Sequence, residues 1–127
     1  MLPAINRLRR SADISAVTRA GLRVSRGSVV VHLRRRQSGG EGSKTGTSGS
    51  HVPRVGLAVG KAVGNSVIRH RVARRIRAIA WASLPELPVD ADIVIRALPD
   101  AGSRSFSDLD QDVRGAMQAA STRAKAG

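Results

Sequence analysis

Residues 54–77 read RVGLAVGKAVGNSVIRHRVARRIR, and this stretch decides the fold. Side chains alternate over Arg54–Gly60, where Val55, Leu57 and Val59 point to one side and two glycines and an alanine point to the other. Such alternation predicts a β-strand. Because the small side leaves the backbone uncovered, we expect another segment to approach this strand closely.

Residues 66–84 predict a helix that is capped by Asn65 or Ser66 and ended by Pro85. At helical spacing, one face carries Ile68, Val72, Ile76 and Ile79, and the opposite face carries His70, Arg71, Arg74, Arg77 and Trp81. Arg69 and Arg75 flank the apolar face. The helix is therefore expected to pack on a core and to present arginines outward.

The stretch 54–77 contains seven basic residues and no acidic residue. A helix face that is merely solvated usually interleaves acids with bases in i,i+4 pairs. Uncompensated positive charges at this density repel one another unless a polyanion screens them. Binding of a polyanion is therefore the favoured interpretation.

The whole chain has 127 residues and a formal net charge of +13. Residues 1–84 hold 17 basic and 2 acidic side chains, whereas residues 85–127 hold 5 and 7. Counterion release favours a nucleic acid as partner. A membrane surface would need an amphipathic helix with exposed bulky apolar residues, which no segment offers convincingly, so we expect no membrane partner.

Several classes of protein are disfavoured. Cysteine is absent, which removes disulfides and thiolate metal sites. We find neither a membrane-spanning apolar run nor a signal-peptide pattern, and we expect a cytoplasmic protein. The histidines His32, His51 and His70 lack metal-site spacing, and no nucleophile–base pair is visible. Asp108, Asp110 and Asp112 are interpreted as acids near a helix N-terminus rather than metal ligands.

Other patterns complete an α+β fold, a single domain over residues 1–127 with helices packed on a small, mostly antiparallel sheet. Helices are predicted at Ala12–Ala20 and Phe106–Ala120, and strands at Ser28–Leu33, continuing towards Arg36, and at Asp92–Leu98. A Gly/Ser-rich stretch predicts a flexible loop at 37–52. A mobile tail is expected at 121–127.

Trp81 and Phe106 are the only aromatic residues, so the base-stacking surfaces of RRM and OB folds are not available. Recognition of phosphates and of RNA shape is favoured instead. A DNA-binding regulator is disfavoured, because a strand rather than a paired helix precedes the basic helix, and we expect no DNA partner. A structural ribosomal RNA-binding protein stays open as the alternative.

The basic stretch resembles the protein subunit of bacterial ribonuclease P. That family carries a strand of the form R-V-G-aliphatic-x-V-x-K, a G-N-A-V-like turn, and R-N-R-x-K-R-x-x-R on the next helix. Here the corresponding segments are Arg54–Lys61, Gly64–Val67 and Arg69–Arg77, with uninterrupted spacing. The resemblance extends more loosely to the first helix, to Gly21–Leu33 and to the strand at 92–98.

The resemblance implies a division of labour, in which a large RNA removes the 5′ leader of precursor tRNA and mainly holds the Mg²⁺ ions. The protein would bind ribonuclease P RNA and the leader. By position, the RNA-binding residues would be Lys61, Asn65, Arg69, His70, Arg71, Arg74, Arg75 and Arg77. A leader-binding cleft between the first helix and the sheet would involve Ile14, Val17, Thr18, His32 and Arg34.

The resemblance also implies a left-handed β-α-β crossover, against the general right-handed preference. Some positions depart from the family pattern. His70 stands where the family usually has Asn, Gly60 stands where Ser is frequent, and Ile14 and Thr18 replace common aromatics. Stacking on a leader base would then be weaker, which leaves apolar and phosphate contacts.

Overall fold

The structure is a computed structural model that describes residues 2–36 and 52–126. The helices and strands follow in the order α1 (Ser11–Ala20), β1 (Leu22–Arg26), β2 (Val29–Arg35), β3 (Arg54–Ala58), α2 (Ser66–Ser83), β4 (Ala91–Ala97) and α3 (Phe106–Ala126). Short 3-10 turns precede α1, α2 and α3 and follow α2. The predicted α+β class is confirmed.

The strands form one mixed sheet in the order β1-β2-β4-β3. β1 pairs antiparallel with β2, and β2 pairs antiparallel with β4. β3 and β4 are parallel neighbours joined through α2, so the sheet contains the expected β-α-β crossover. The hand of this crossover stays a prediction.

Alternation along the strands gives the sheet two different faces. On one face, Ile95 of β4 lies between Val31 and Leu57 of the neighbouring strands, and α2 and α3 cover this face to form the main core. On the other face, Val94 lies between His32 and Gly56. There, α1 and the preceding segment form a smaller cluster, in which Leu8, Val17 and Val94 are buried.

Gly56 confirms the expectation of a close approach at the small side of β3. A Cβ built on Gly56 would lie 2.9 Å from the carbonyl oxygen of Leu8 and 3.5 Å from Cγ1 of Ile14. The amide of Leu8 in turn donates to the carbonyl oxygen of Val55 at 2.9 Å. The glycine therefore lets the N-terminal segment lie directly on the sheet.

The strand β1 was not predicted from the sequence. Leu22 and Val24 alternate with polar residues, and Gly27 adopts a φ of 56°, which permits the tight turn from Arg26 to Val29. These residues carried a hairpin signal. The predicted strand beginning at Ser28 is the second half of this hairpin.

The C-terminal prediction was wrong. Residues 121–126 continue α3 instead of forming a tail, because Ser121 and Ala124 are buried against the body of the protein. The Ser121 hydroxyl donates to the carbonyl oxygen of Glu86 at 2.8 Å, and Lys125 Nζ donates to the same oxygen at 3.2 Å. The predicted loop at 37–52 lies outside the described residues except for Val52.

Arg36 connects the two described segments that flank residues 37–51. Its guanidinium donates to the carbonyl oxygen of Val52 at 2.8 Å and to Asp92 Oδ1 at 2.5 Å. Arg54 also binds Asp92, through two hydrogen bonds of 2.8 Å. Asp92, which is largely buried, thus fixes the end of β2 and the start of β3 on either side of β4.

Candidate nucleic-acid interface

The start of α2 is built by the turn that follows β3. Gly64 has a φ of 154°, and a Cβ there would lie 2.9 Å from Ile68 Cγ2, so the turn requires glycine. Asn65 caps the helix, since its Oδ1 accepts the amide hydrogen of Ile68 at 3.0 Å. Lys61 and Asn65 are exposed beside the positive end of the helix dipole, where anions are stabilised.

The two predicted faces of α2 are confirmed except at Arg71, which was predicted on the outer face and is half-buried at its edge. Val72, Ile76 and Ile79 are buried in the main core. On the opposite side, an exposed stripe runs along the helix through Val67, His70, Arg74, Arg77 and Trp81. We call this set the α2 outer stripe. Its cationic side chains point to solvent.

Three other basic residues of α2 are half-buried at the edges of this stripe. Arg69 is one of them, and Arg71 donates from Nη2 to the carbonyl oxygen of Gly102 at 3.1 Å. The guanidinium of Arg75 lies 5.9 Å from the ring centre of Phe106, a cation–π contact. These contacts hold Arg71 and Arg75 in defined orientations, which restricts their freedom to contact a ligand.

Acidic side chains do not neutralise α2. Within residues 2–36 and 52–126, the ion pairs shorter than 4.0 Å join arginines of other elements to Asp90, Asp92, Asp110 and Asp112, and none includes an arginine of α2. Asp110 and Asp112, interpreted from sequence as helix-dipole acids, instead pair with Arg114 and Arg104. The α2 outer stripe is therefore an uncompensated positive surface.

The second candidate surface lies where α1 crosses the other face of the sheet. Ile14 and Thr18 are half-buried, whereas Val17 is 1% exposed and packs in the small core cluster. The hydroxyl of Thr18 donates to the carbonyl oxygen of Ser15 at 3.0 Å. Val17 thus holds α1 on the sheet, and Ile14 and Thr18 are the partly exposed side chains beside it.

His32 is the unusual residue of this surface. It is 6% exposed, and neither ring nitrogen has a hydrogen-bond partner among the described residues. Burial lowers the pKa of His32, and the positive charges of Arg96 and Arg23 lower it further. The lowered pKa favours the neutral imidazole, whose one donor and one acceptor have no partner among the described residues.

Arginines surround His32. Arg34 is exposed on the same face of β2, and Arg23 of β1 pairs directly with His32. Arg96 belongs to the same face of β4 and is exposed. Sequence reasoning missed Arg23 and Arg96, although the alternation in residues 91–97 already places Arg96 opposite the core side chains.

The described residues contain no group of three or more His, Asp or Glu side chains placed to hold a metal ion. None of the helices in residues 2–36 and 52–126 is long and apolar enough to cross a membrane. The two cationic surfaces, on α2 and beneath α1, are the features on which a function can be argued.

Comparisons with known proteins agree on one family. A model of the family "Ribonuclease P" matches residues 2–121. The chain is 44% identical over 127 residues to the ribonuclease P protein component of Salinispora tropica, which covers 94% of this chain and 93% of that protein. It is 46% identical over 114 residues to that of Mycobacterium avium, covering 90% of each.

Solved structures show the same fold. The RNase P protein of Staphylococcus aureus superposes with a TM-score of 0.73 at 21% identity, and the match covers 91% of this chain and 94% of that one. For the RNase P protein of Thermotoga maritima the TM-score is 0.71 at 19% identity, covering 89% and 96%.

Proposed function

Since this chain belongs to the ribonuclease P protein family, we propose that it binds the catalytic RNA of that enzyme through α2 and the 5′ leader of precursor tRNA through the cleft beneath α1. Family membership implies a role in tRNA processing, within an endoribonuclease complex that includes an RNA. The division of the two RNA ligands between the two surfaces is our proposal.

The observation that carries the proposal is the α2 outer stripe, which presents His70, Arg74 and Arg77 without an acidic partner. Arginine binds phosphate in a bidentate manner, and each neutralised phosphate releases condensed counterions. Lys61 and Asn65 extend this surface to the helix N-terminus, where backbone N–H groups also favour phosphate.

The surface beneath α1 differs from the α2 outer stripe, because it combines charged, apolar and hydrogen-bonding side chains. Arg34 and Arg96 supply charge for a phosphate backbone, while His32 offers a buried hydrogen-bonding group. Ile14 supplies an apolar contact at the edge of the cleft. This mixture suits a flexible single strand, whose bases and backbone are both accessible.

We further propose that cleavage chemistry and the Mg²⁺ ions belong mainly to the RNA. Four of the eight described carboxylates, those of Asp90, Asp92, Asp110 and Asp112, are already paired with arginines. Residues 1–84 also carry 17 basic against 2 acidic side chains, a charge balance that repels divalent cations. The protein would act by positioning RNA and by screening repulsion between RNA segments.

The test is reconstituted cleavage of a 5′-labelled precursor tRNA at low Mg²⁺ concentration. We expect no cleavage by the protein alone and faster cleavage when it is added to the RNA subunit. The double variant Arg74→Ala/Arg77→Ala should lose this enhancement. A matched double variant on α3, Arg114→Ala/Arg123→Ala, removes the same charge and should retain it.

Two results would contradict the proposal. One is the absence of any enhancement with an RNA subunit that is active by itself at high Mg²⁺. The other is equal loss of enhancement in the α2 and α3 double variants. Co-sedimentation with ribosomal subunits, without an effect on tRNA cleavage, would instead support the ribosomal alternative.

A further inference from the structure

We propose that Trp81 stacks on an unpaired base of the bound RNA at the C-terminal end of the α2 outer stripe. This inference rests on the proposed RNA-binding function of α2 and adds a base contact to a surface otherwise suited to phosphates. Trp81 is 44% exposed, although it is the largest apolar side chain in the protein.

The position of Trp81 places it in line with the cationic side chains. Arg77 and Arg74 precede it by one and two helical turns and are exposed on the same side. Ala78 and Ala82, its exposed neighbours, are too small to cover an indole ring. A nucleic acid strand that follows the arginines would therefore reach an open aromatic surface.

The charge along α2 favours a base over a phosphate at this end. After Arg77, residues 78–83 contain no charged side chain. The helix C-terminus carries a partial negative charge, which disfavours an anion in its last turn. An uncharged base can occupy that position and stack on the indole, while its phosphates contact the arginines upstream.

The core does not account for the exposed indole, and like charges disfavour a second copy of the chain on this face. The buried side of α2 is already filled by Val72, Ile76 and Ile79. In a symmetric dimer through this face, Arg74 and Arg77 of one copy would approach those of the other, and like charges would repel. The other aromatic side chain, Phe106, is engaged by Arg75.

Fluorescence tests the contact directly, because the chain has one tryptophan and no tyrosine. The RNA subunit is titrated into the protein, and binding is followed independently through the anisotropy of labelled RNA. We expect quenching of Trp81 emission in step with binding and protection from acrylamide. Binding without a change at Trp81 overturns this inference alone, whereas no binding overturns the proposed function.

Substitution gives the second test. Trp81→Ala should weaken RNA binding by about 5- to 150-fold, the range for loss of one base–aromatic stack. The dependence of affinity on salt should be unchanged, because no phosphate contact is lost. Trp81→Phe should restore most of the affinity, and Val89→Ala, which removes an exposed apolar side chain elsewhere, should match the parent protein.

Two outcomes would overturn the stacking contact. Equal affinity of Trp81→Ala and the parent protein, with both folded by circular dichroism, would show that the indole does not bind RNA. A shift in Trp81 emission with protein concentration in the absence of RNA would assign the indole to a contact between copies of the chain.

Discussion

Ser28 and Asp112 lie 84 residues apart, and one carboxylate oxygen of Asp112 accepts both the amide hydrogen of Ser28, at 3.0 Å, and its hydroxyl hydrogen, at 2.7 Å. Arg104 donates to both oxygens of the same carboxylate, at 3.0 and 2.9 Å. This cluster ties α3 to the β1–β2 turn. Gly27 leaves room for it, since a Cβ at that position would collide with the carboxylate of Asp112.

Removal of this carboxylate should destabilise the fold. Asp112→Ala leaves a buried amide, a hydroxyl and a guanidinium without their acceptor, so the free energy of unfolding should fall by about 2–4 kcal/mol. Urea denaturation measures this change. Asp110→Ala is the matched control, because Asp110 forms a more exposed pair with Arg114 one turn away and should cost no more than about 0.5 kcal/mol. Equal losses in both variants would contradict the prediction.

The stability contributed by Asp112 should depend on pH. Burial alone raises the pKa of Asp112, but the hydrogen bonds from Ser28 and the ion pair with Arg104 outweigh it and hold the pKa below its usual value. A carboxyl whose pKa is lower in the folded protein stabilises it above the unfolded pKa of about 3.9, and the contribution declines as the pH falls from there through the folded pKa.

Unfolding free energies measured at several pH values between about pH 5 and about pH 2 span this titration and follow the decline. The parent protein should lose more stability over this range than Asp112→Asn, which has no carboxyl at 112 to protonate. Parallel pH profiles for the two proteins would show that Asp112 does not titrate differently in the folded state.

The pKa of His32 should lie below its ordinary value in the RNA-free protein. Because burial and then Arg96 and Arg23 lower its pKa, NMR titration of the ring signals should give a midpoint below 6.5. Arg96→Ala should raise the midpoint, whereas Arg114→Ala on α3 should not change it. Since the folded pKa is lowered, His32 should also reduce stability as the pH falls below about 6.5. A midpoint unaffected by Arg96→Ala would contradict the electrostatic explanation.

Arg74 and Arg71 should respond differently to substitution. The exposed Arg74 is free to contact phosphate, so Arg74→Ala should weaken RNA binding and reduce the slope of log affinity against log salt by about 0.7–0.9. Arg71 donates to the carbonyl oxygen of Gly102, so Arg71→Ala should also lower the melting temperature. Affinity measured over a series of salt concentrations, together with thermal melts, separates the two effects. An unchanged slope for Arg74→Ala would exclude a phosphate contact there.

The helix α2 and its two faces could be predicted because their signals are local, namely the spacing of Ile68, Val72 and Ile76, the cap at Asn65 and the stop at Pro85. The burial of His32 could not be predicted, because it depends on the register of β2 with β1 and with β4. The pairing of Ser28 with Asp112 is equally non-local, and alternating acids in a helix do not indicate which one is buried.

The two contacts made by Arg36 should make this chain tolerant of insertions between positions 36 and 52. Its guanidinium donates to Val52 and Asp92, so the end of β2 is held to β4 and to the segment before β3 independently of how many residues connect positions 36 and 52. Doubling such a connection costs only about 0.6 kcal/mol in chain entropy. An affinity tag or a reporter peptide inserted between positions 36 and 52 should therefore leave both cationic surfaces intact. This position is suitable for attaching the protein to a surface or a probe.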